Sequence, residues 1–234
     1  MQERFTLPVA QRTICGVLHL PDRQKPPFII ACHGLYSSKD SDKFTEIADR
    51  FTRGGLGVVR FDFGGCGESS GDIADTTASG RLRELEAVAG FARSHPDLGD
   101  SFGILGSSFG GFLALFYAAR HPVRALSVWA TPLRLSDIYH TIPEEDLQRL
   151  NKAFFTDAAD YRLPELLATL HTVQIIHGEQ DEVVPVRHAE EMFALTAGPK
   201  SLEIIAGADH AIRNTGDRAQ AIRSSLAWFS RYLA

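Results

Sequence analysis

The stretch Phe102-Gly-Ile-Leu-Gly-Ser-Ser-Phe-Gly-Gly-Phe112 runs without a break into Leu113-Ala-Leu-Phe-Tyr-Ala-Ala-Arg120. An apolar run meets Gly106-Ser-Ser108-Phe-Gly110, and an alanine- and leucine-rich helical pattern follows at once. This reads as strand, sharp turn and helix, the setting in which a G-x-S-x-G pentapeptide carries chemistry. A serine on so tight a turn is held strained, with its hydroxyl lifted above the sheet. A Cβ at Gly106 or Gly110 would crowd the neighbouring strand and helix. The helix starting beside Ser108 directs unpaired N–H groups at any developing oxyanion. Ser108 therefore reads as a nucleophile. The second match, Gly67-Glu-Ser69-Ser-Gly71, is followed by Asp72-Ile-Ala-Asp75 rather than an apolar helix, and reads as a turn. Ser107 lacks the flanking glycine pair, and its side chain is expected to point elsewhere.

Working outward, the chain alternates apolar runs with helical patterns. Residues 3–9 and 12–20 suggest an opening antiparallel pair. Phe28-Ile-Ile-Ala-Cys32, Leu56-Gly-Val-Val-Arg-Phe61, Ala125-Leu-Ser-Val-Trp-Ala130, Val173-Gln-Ile-Ile176 and Ser201-Leu-Glu-Ile-Ile205 read as buried strands. Helices are expected around 41–54, 76–94, 187–197 and 216–233. In the second of these, Leu82, Leu85, Ala89 and Ala92 share one face, with Arg81, Arg83, Glu84 and Glu86 elsewhere. This order predicts an α/β chain whose mostly parallel sheet is covered by helices on both faces. From 131 to 171 the rhythm breaks into a polar and aromatic segment with three prolines, expected to be helical in pieces. It reads as a small cap-like insertion within a single domain spanning 1–234.

The 234 residues carry a formal charge of −5 and 44% hydrophobic residues, which favours neither nucleic acid nor an anionic membrane as partner. Cys15, Cys32 and Cys66 show no paired spacing, as expected of reduced thiols. The opening residues lack an apolar signal core and no apolar run is long enough to span a bilayer, so a cytoplasmic location is expected. Neither a metal-binding spacing nor a phosphate-binding loop is present; no metal and no cofactor are expected.

A serine hydroxyl needs a base, and the base needs a group that fixes its tautomer. Just past the Val173–Ile176 run lies His177-Gly-Glu-Gln-Asp181-Glu182, and just past Ser201–Ile205 lies Ala206-Gly-Ala-Asp209-His210. Both loops would sit at the carboxyl edge of the sheet beside Ser108. His210 is the candidate base. Asp181 is the candidate acid, competing with Glu179, Glu182 and Asp209. Asp209 adjoins His210 in sequence, so their side chains diverge, and it reads as a loop residue. Asp62 is expected to bond within its own glycine-rich turn. The oxyanion donors are expected to be the backbone N–H of Phe109 and that of Leu35, after His33-Gly34. His33 reads as shaping its loop and as a pocket candidate, with Tyr139, His140, Phe154, Phe155 and Tyr161 as further pocket candidates from the insertion.

His33-Gly34-Leu35, Arg60-Phe-Asp62-Phe-Gly-Gly-Cys-Gly67, Gly106-Ser-Ser108-Phe-Gly110, His177-Gly-Glu-Gln-Asp181 and Gly207-Ala-Asp-His210 resemble, in order and spacing, the motifs of the serine α/β-hydrolases. The cinnamoyl-esterase-like and monoglyceride-lipase-like bacterial branch is most similar. The resemblance covers nearly the whole chain. It implies the α/β-hydrolase fold and a cofactor-free esterase acting on a small-molecule ester through an acyl-serine. In one departure, relatives carry Arg-Gly-x-Gly where this chain has Gly64-Gly-Cys-Gly67. Thioesters, lactones, amides and acyl transfer are open to the same residues, as is ligand binding without turnover. Oligomeric state is not legible.

Overall fold

A computed structural model describes residues 1–234. Eight strands form one sheet: β1 Gln2–Val9, β2 Arg12–His19, β3 Phe28–Cys32, β4 Gly57–Phe61, β5 Phe102–Ser107, β6 Ala125–Trp129, β7 Val173–Gly178 and β8 Lys200–Ile205. Their order across the sheet is β1-β2-β4-β3-β5-β6-β7-β8. β1 pairs antiparallel with β2 and β2 with β4, while every pairing from β4 to β8 is parallel. Parallel neighbours need crossover helices, and those helices bury both faces of the sheet.

The crossovers are α1 Asp42–Arg53, α2 Ala78–Ser94, α3 Phe109–Ala118, α6 Arg187–Leu195 and the closing α7 Thr215–Leu233. Two short helices, α4 Glu144–Leu147 and α5 Lys152–Ala158, lie between β6 and β7. The period-two alternation of the strands sorts the core into two layers. In β3, Phe28, Ile30 and Cys32 join the cluster under α2, α3 and α6, whereas Ile29 and Ala31 face the cluster under α1 and α7. α1 meets the sheet with Phe44, Ile47, Ala48 and Phe51, spaced as one helical stripe. α3 is apolar all round because it is enclosed all round: Phe109 through Tyr117 are all buried.

The 131–171 segment is helical in pieces and shares the larger core layer through Leu135, Ile138, Leu150, Phe154, Leu163 and Leu167. One expectation fails in α2. Arg81 and Glu84, placed away from its apolar face, are buried. Each is held by polar partners described below, which is how a charged side chain persists in a core. No helix is long and apolar enough to cross a membrane.

Candidate active site

Ser108 sits between β5 and α3 with φ 54° and ψ −122°. A non-glycine residue at positive φ stores strain of about 1–3 kcal/mol and persists only where its surroundings over-determine it. Here they do. The Ser108 N–H donates to the Trp129 carbonyl at 2.7 Å, fixing the turn to the neighbouring strand. A Cβ on Gly110 would lie 2.2 Å from the Cys32 carbonyl oxygen, and one on Gly106 would lie 2.5 Å from that of Gly110. The two glycines let helix and strand ends approach to backbone contact, which places the Ser108 hydroxyl at the carboxyl edge of the sheet.

Two loops converge on that hydroxyl. His210 Nε2 lies 3.1 Å from Ser108 Oγ, and His210 Nδ1 lies 2.9 Å from Asp181 Oδ2 and 3.0 Å from Asp181 Oδ1. Because a carboxylate only accepts, Nδ1 carries the proton and Nε2 is left to accept from the serine. Of the four acids near this loop, only Asp181 lies against the ring. Glu182 accepts from the His210 N–H at 3.0 Å, Glu179 from the Gly207 N–H, and Asp209 from Arg213. The Asp181 side chain is fully buried. Burial pushes its carboxyl up, but hydrogen bonds from His177 and His210 and the amide of Val184 outweigh this and hold it below the usual carboxylate range. His177, at the end of β7, supports the loop from beneath, with Nε2 2.8 Å from the Val184 carbonyl and 3.2 Å from Asp181 Oδ2.

The loop after β3 faces the same hydroxyl, and a Cβ on Gly34 would come within 3.4 Å of Ser108 Cβ. His33 is buried and does not line the cavity, contrary to its place among the pocket candidates. Its Nε2 accepts from the Phe63 N–H at 2.9 Å, so its Nδ1 donates to the Gly34 carbonyl at 2.7 Å. Burial lowers it to about 3, keeping it in this neutral form. Arg81 reaches the same loop, donating to the Leu35 carbonyl at 3.0 Å. In a trans peptide the carbonyl of residue 34 and the N–H of residue 35 point opposite ways. Holding the Gly34 carbonyl therefore aims the Leu35 N–H outward. That N–H has no protein partner, and the Phe109 N–H, first in α3, has no carbonyl one turn before it.

Gly64, the departure from the family pattern, has a structural reason. A Cβ there would lie 2.6 Å from both Arg12 Nη1 and Glu84 Oε1. Arg12 from the β1–β2 hairpin fills that space, pairing with buried Glu84 at 3.1 Å, and Glu84 also accepts from the Gly64 N–H. Asp62 accepts from the Glu68 N–H within its turn, as expected, and from the Lys39 N–H outside it. Ser69 is buried and bonds the Asp62 carbonyl and the Cys15 N–H. The carboxylates of Asp40, Asp62 and Glu68 form a cluster that suggests a cation site, but the Lys39 ammonium sits among them at 2.6–2.9 Å.

A cavity of about 690 Å³ opens beside Ser108 and His210. Tyr139 and Phe154 line it, as do Ile138, Ile142 and Pro143 of the insertion. Phe155 and Tyr161 do not. Phe155 packs edge-on to Tyr139 and Phe154, and Tyr161 packs on Phe116 with its hydroxyl 2.7 Å from Ser79 Oγ, so both fix the insertion to the body. His140 is exposed and also stands outside the lining. Ser107 lines the cavity wall and its Oγ accepts from Lys43 Nζ at 3.0 Å. Sequence reasoning missed Lys43, Arg81 and His177. Arg81 and Lys43 lie on helical patterns where charge reads as solvent-facing, and only the loops they meet reveal otherwise.

An eight-stranded, mostly parallel sheet with a strained serine at the β5–α3 turn defines the α/β class to which hydrolases with this architecture belong. A family model described as alpha/beta hydrolase fold matches residues 27–151, and the chain belongs to that family. The chain is 25% identical over 185 residues to the mitochondrial palmitoyl-protein thioesterase ABHD10 of Mus musculus, covering 69% of this chain and 61% of that protein. It is also 25% identical over 233 residues to YqkD of Bacillus subtilis, covering 92% of this chain and 74% of that protein. Among solved structures, Est1E from Butyrivibrio proteoclasticus, with ferulic acid bound, superposes with a TM-score of 0.84 at 19% identity, over 97% of this chain and 98% of that one.

Proposed function

We propose that the protein is a serine esterase that cleaves carboxylic esters of small molecules through an acyl-enzyme. The observation that carries this reading is the unbroken relay from Ser108 Oγ to His210 Nε2 at 3.1 Å and from His210 Nδ1 to Asp181 at 2.9 Å. His210 takes the proton of Ser108 as Oγ attacks the acyl carbon, and Asp181 stabilises the resulting imidazolium. The N–H groups of Leu35 and Phe109 hold the tetrahedral oxyanion. The C–O bond breaks as His210 returns the proton to the departing alcohol. Water, deprotonated by His210, then attacks the acyl carbon and releases the acid and Ser108. Tyr139 and Phe154 are pocket residues in this scheme, and no cofactor or metal takes part.

The test is labelling with a fluorophosphonate, mapping of the adduct, and an ester panel that includes aryl and hydroxycinnamoyl esters. An adduct on Ser108 with turnover is expected. A ligand that stabilises the protein without being turned over, with no adduct, would favour a binding protein instead. The similarity to a thioesterase makes long-chain acyl thioesters the second substrate class for the same panel. The apolar wall of the cavity supports their inclusion.

A further inference from the structure

The cavity beside Ser108 has a chemically mixed lining. Leu35, Phe109, Ile138, Ile142, Phe154 and Val183 contribute apolar side chains to its lining. Ser41, Lys43, Ser107, Arg213 and Arg218 add hydroxyls and cations to the same lining, together with the acidic residues Asp42 and Asp146. The two arginines are already engaged. Arg218 Nε lies 2.8 Å from Glu46 Oε2, and Arg213 Nη1 lies 2.8 Å from Asp209 Oδ2. Lys43 differs, because no carboxylate pairs with it and its one protein partner is Ser107 Oγ at 3.0 Å. Ser107 is only 4% exposed, and its hydroxyl, by accepting from Lys43, keeps its own proton free to donate. The Ser41 hydroxyl is buried with no partner at all. Burial lowers Lys43 to about 8, against the pull of Asp209 and Asp181 and with the push of Arg218 and Arg213. A recessed ammonium with no carboxylate in contact, hydrogen-bonded to the residue that precedes Ser108, is costly unless something anionic completes it.

From this arrangement we infer that the cavity holds an anion subsite in which Lys43, with the hydroxyls of Ser107 and Ser41, binds a carboxylate carried by the alcohol portion of the substrate. This rests on the esterase reading and narrows it. The apolar wall takes the acyl chain, and the leaving group bears the negative charge. Lys43 is then a specificity-determining residue. It touches substrate but neither transfers a proton nor contacts the scissile bond.

The test compares hexanoyl esters of 4-hydroxybenzoate and 4-hydroxybenzamide, which differ at the leaving group by one charge. The ratio of kcat/KM, anionic over neutral, is expected to reach about tenfold in the unaltered protein. It should fall to about one in Lys43→Met and recover in Lys43→Arg, the change residing mainly in KM. A ratio at or below one in the unaltered protein overturns the inference, and so does a ratio that survives in Lys43→Met. The unaltered protein alone therefore decides if Lys43→Met fails to fold. Binding of 4-hydroxybenzoate to Ser108→Ala by calorimetry separates the two readings. Lys43-dependent binding with no ester turned over by the unaltered protein sinks the esterase reading and keeps the anion subsite. Turnover of both esters with no such binding does the reverse.

Discussion

In the proposed mechanism Ser108 and Asp181 bear the chemistry, and each makes a separate prediction. Ser108→Ala removes the nucleophile and leaves its neighbours in place. It is expected to lower kcat on any ester substrate by about 10⁴–10⁶ and to abolish fluorophosphonate labelling, with an unchanged circular dichroism spectrum. Asp181→Asn keeps the shape of the side chain but lets the His210 ring adopt the wrong tautomer. A drop in kcat of about 10⁴ is expected. The same substitution reads out stability. The Asp181 carboxyl is held below its unfolded value, so the folded state binds fewer protons than the unfolded one as pH falls through that range. Its stabilising contribution is present above the unfolded value of about 4 and is lost as pH drops below it. Urea unfolding should show unaltered protein well above Asp181→Asn at pH 7, and the gap should narrow toward pH 3.

The elements around the site are set by how closely backbones can approach. β5 and α3 meet the end of β3 through Gly110, whose hydrogen occupies space 2.2 Å from the Cys32 oxygen where a methyl would sit. Gly110→Ala must push α3 off the sheet or distort the turn. A loss of about 1–3 kcal/mol, read as a lower Tm, is expected together with a fall in kcat from the displaced Phe109 N–H. α2 acts at longer range. Its Arg81 grips the carbonyl of Leu35, and its Glu84 holds Gly64 and Arg12. A helix that scans as amphipathic thus spends two charged residues on the interior, where they tie the loops after β3 and β4 to each other. Arg12 reaches Glu84 across 72 residues of sequence, so Gly64 becomes intelligible only once the hairpin is folded against the loop.

Across the whole molecule the cavity forms where the insertion folds back over the carboxyl edge of the sheet. Tyr36 hydrogen-bonds the Asp146 carbonyl, Thr141 Oγ1 donates to the Val183 carbonyl at 2.6 Å, and Asn151 N donates to the Ala74 carbonyl at 3.1 Å. These ties anchor the insertion on both sides of the site. Ile142→Trp adds bulk to the apolar wall without touching the relay. Activity on acetyl and butyryl esters is expected to stay within about threefold, while octanoyl and longer esters lose about tenfold or more, as a chain-length series would show. Equal losses along the series would mean that the acyl chain does not lie against the insertion.

Much of this was readable in one dimension because it depends on short-range rules. Apolar runs of strand length separated by helical periods can only close into a parallel sheet with covered faces. Glycines on either side of Ser108 mark a turn where strand and helix approach too closely for a Cβ at Gly106 or Gly110. The positions just past β7 and β8 follow from the same topology, which is how Asp181 and His210 could be picked out before their 2.9 Å contact was seen. Linear order leaves open whatever depends on where side chains far apart along the chain end up. It could not separate Phe154, which lines the cavity, from Phe155 beside it, because a short helix in an irregular segment carries no pattern strong enough to fix its facing. Nor could it find Lys43, Arg81 or His177. Periodicity assigns the helical charges of Lys43 and Arg81 to water, and His177, at the end of β7, takes its role only from the loop that folds back over it.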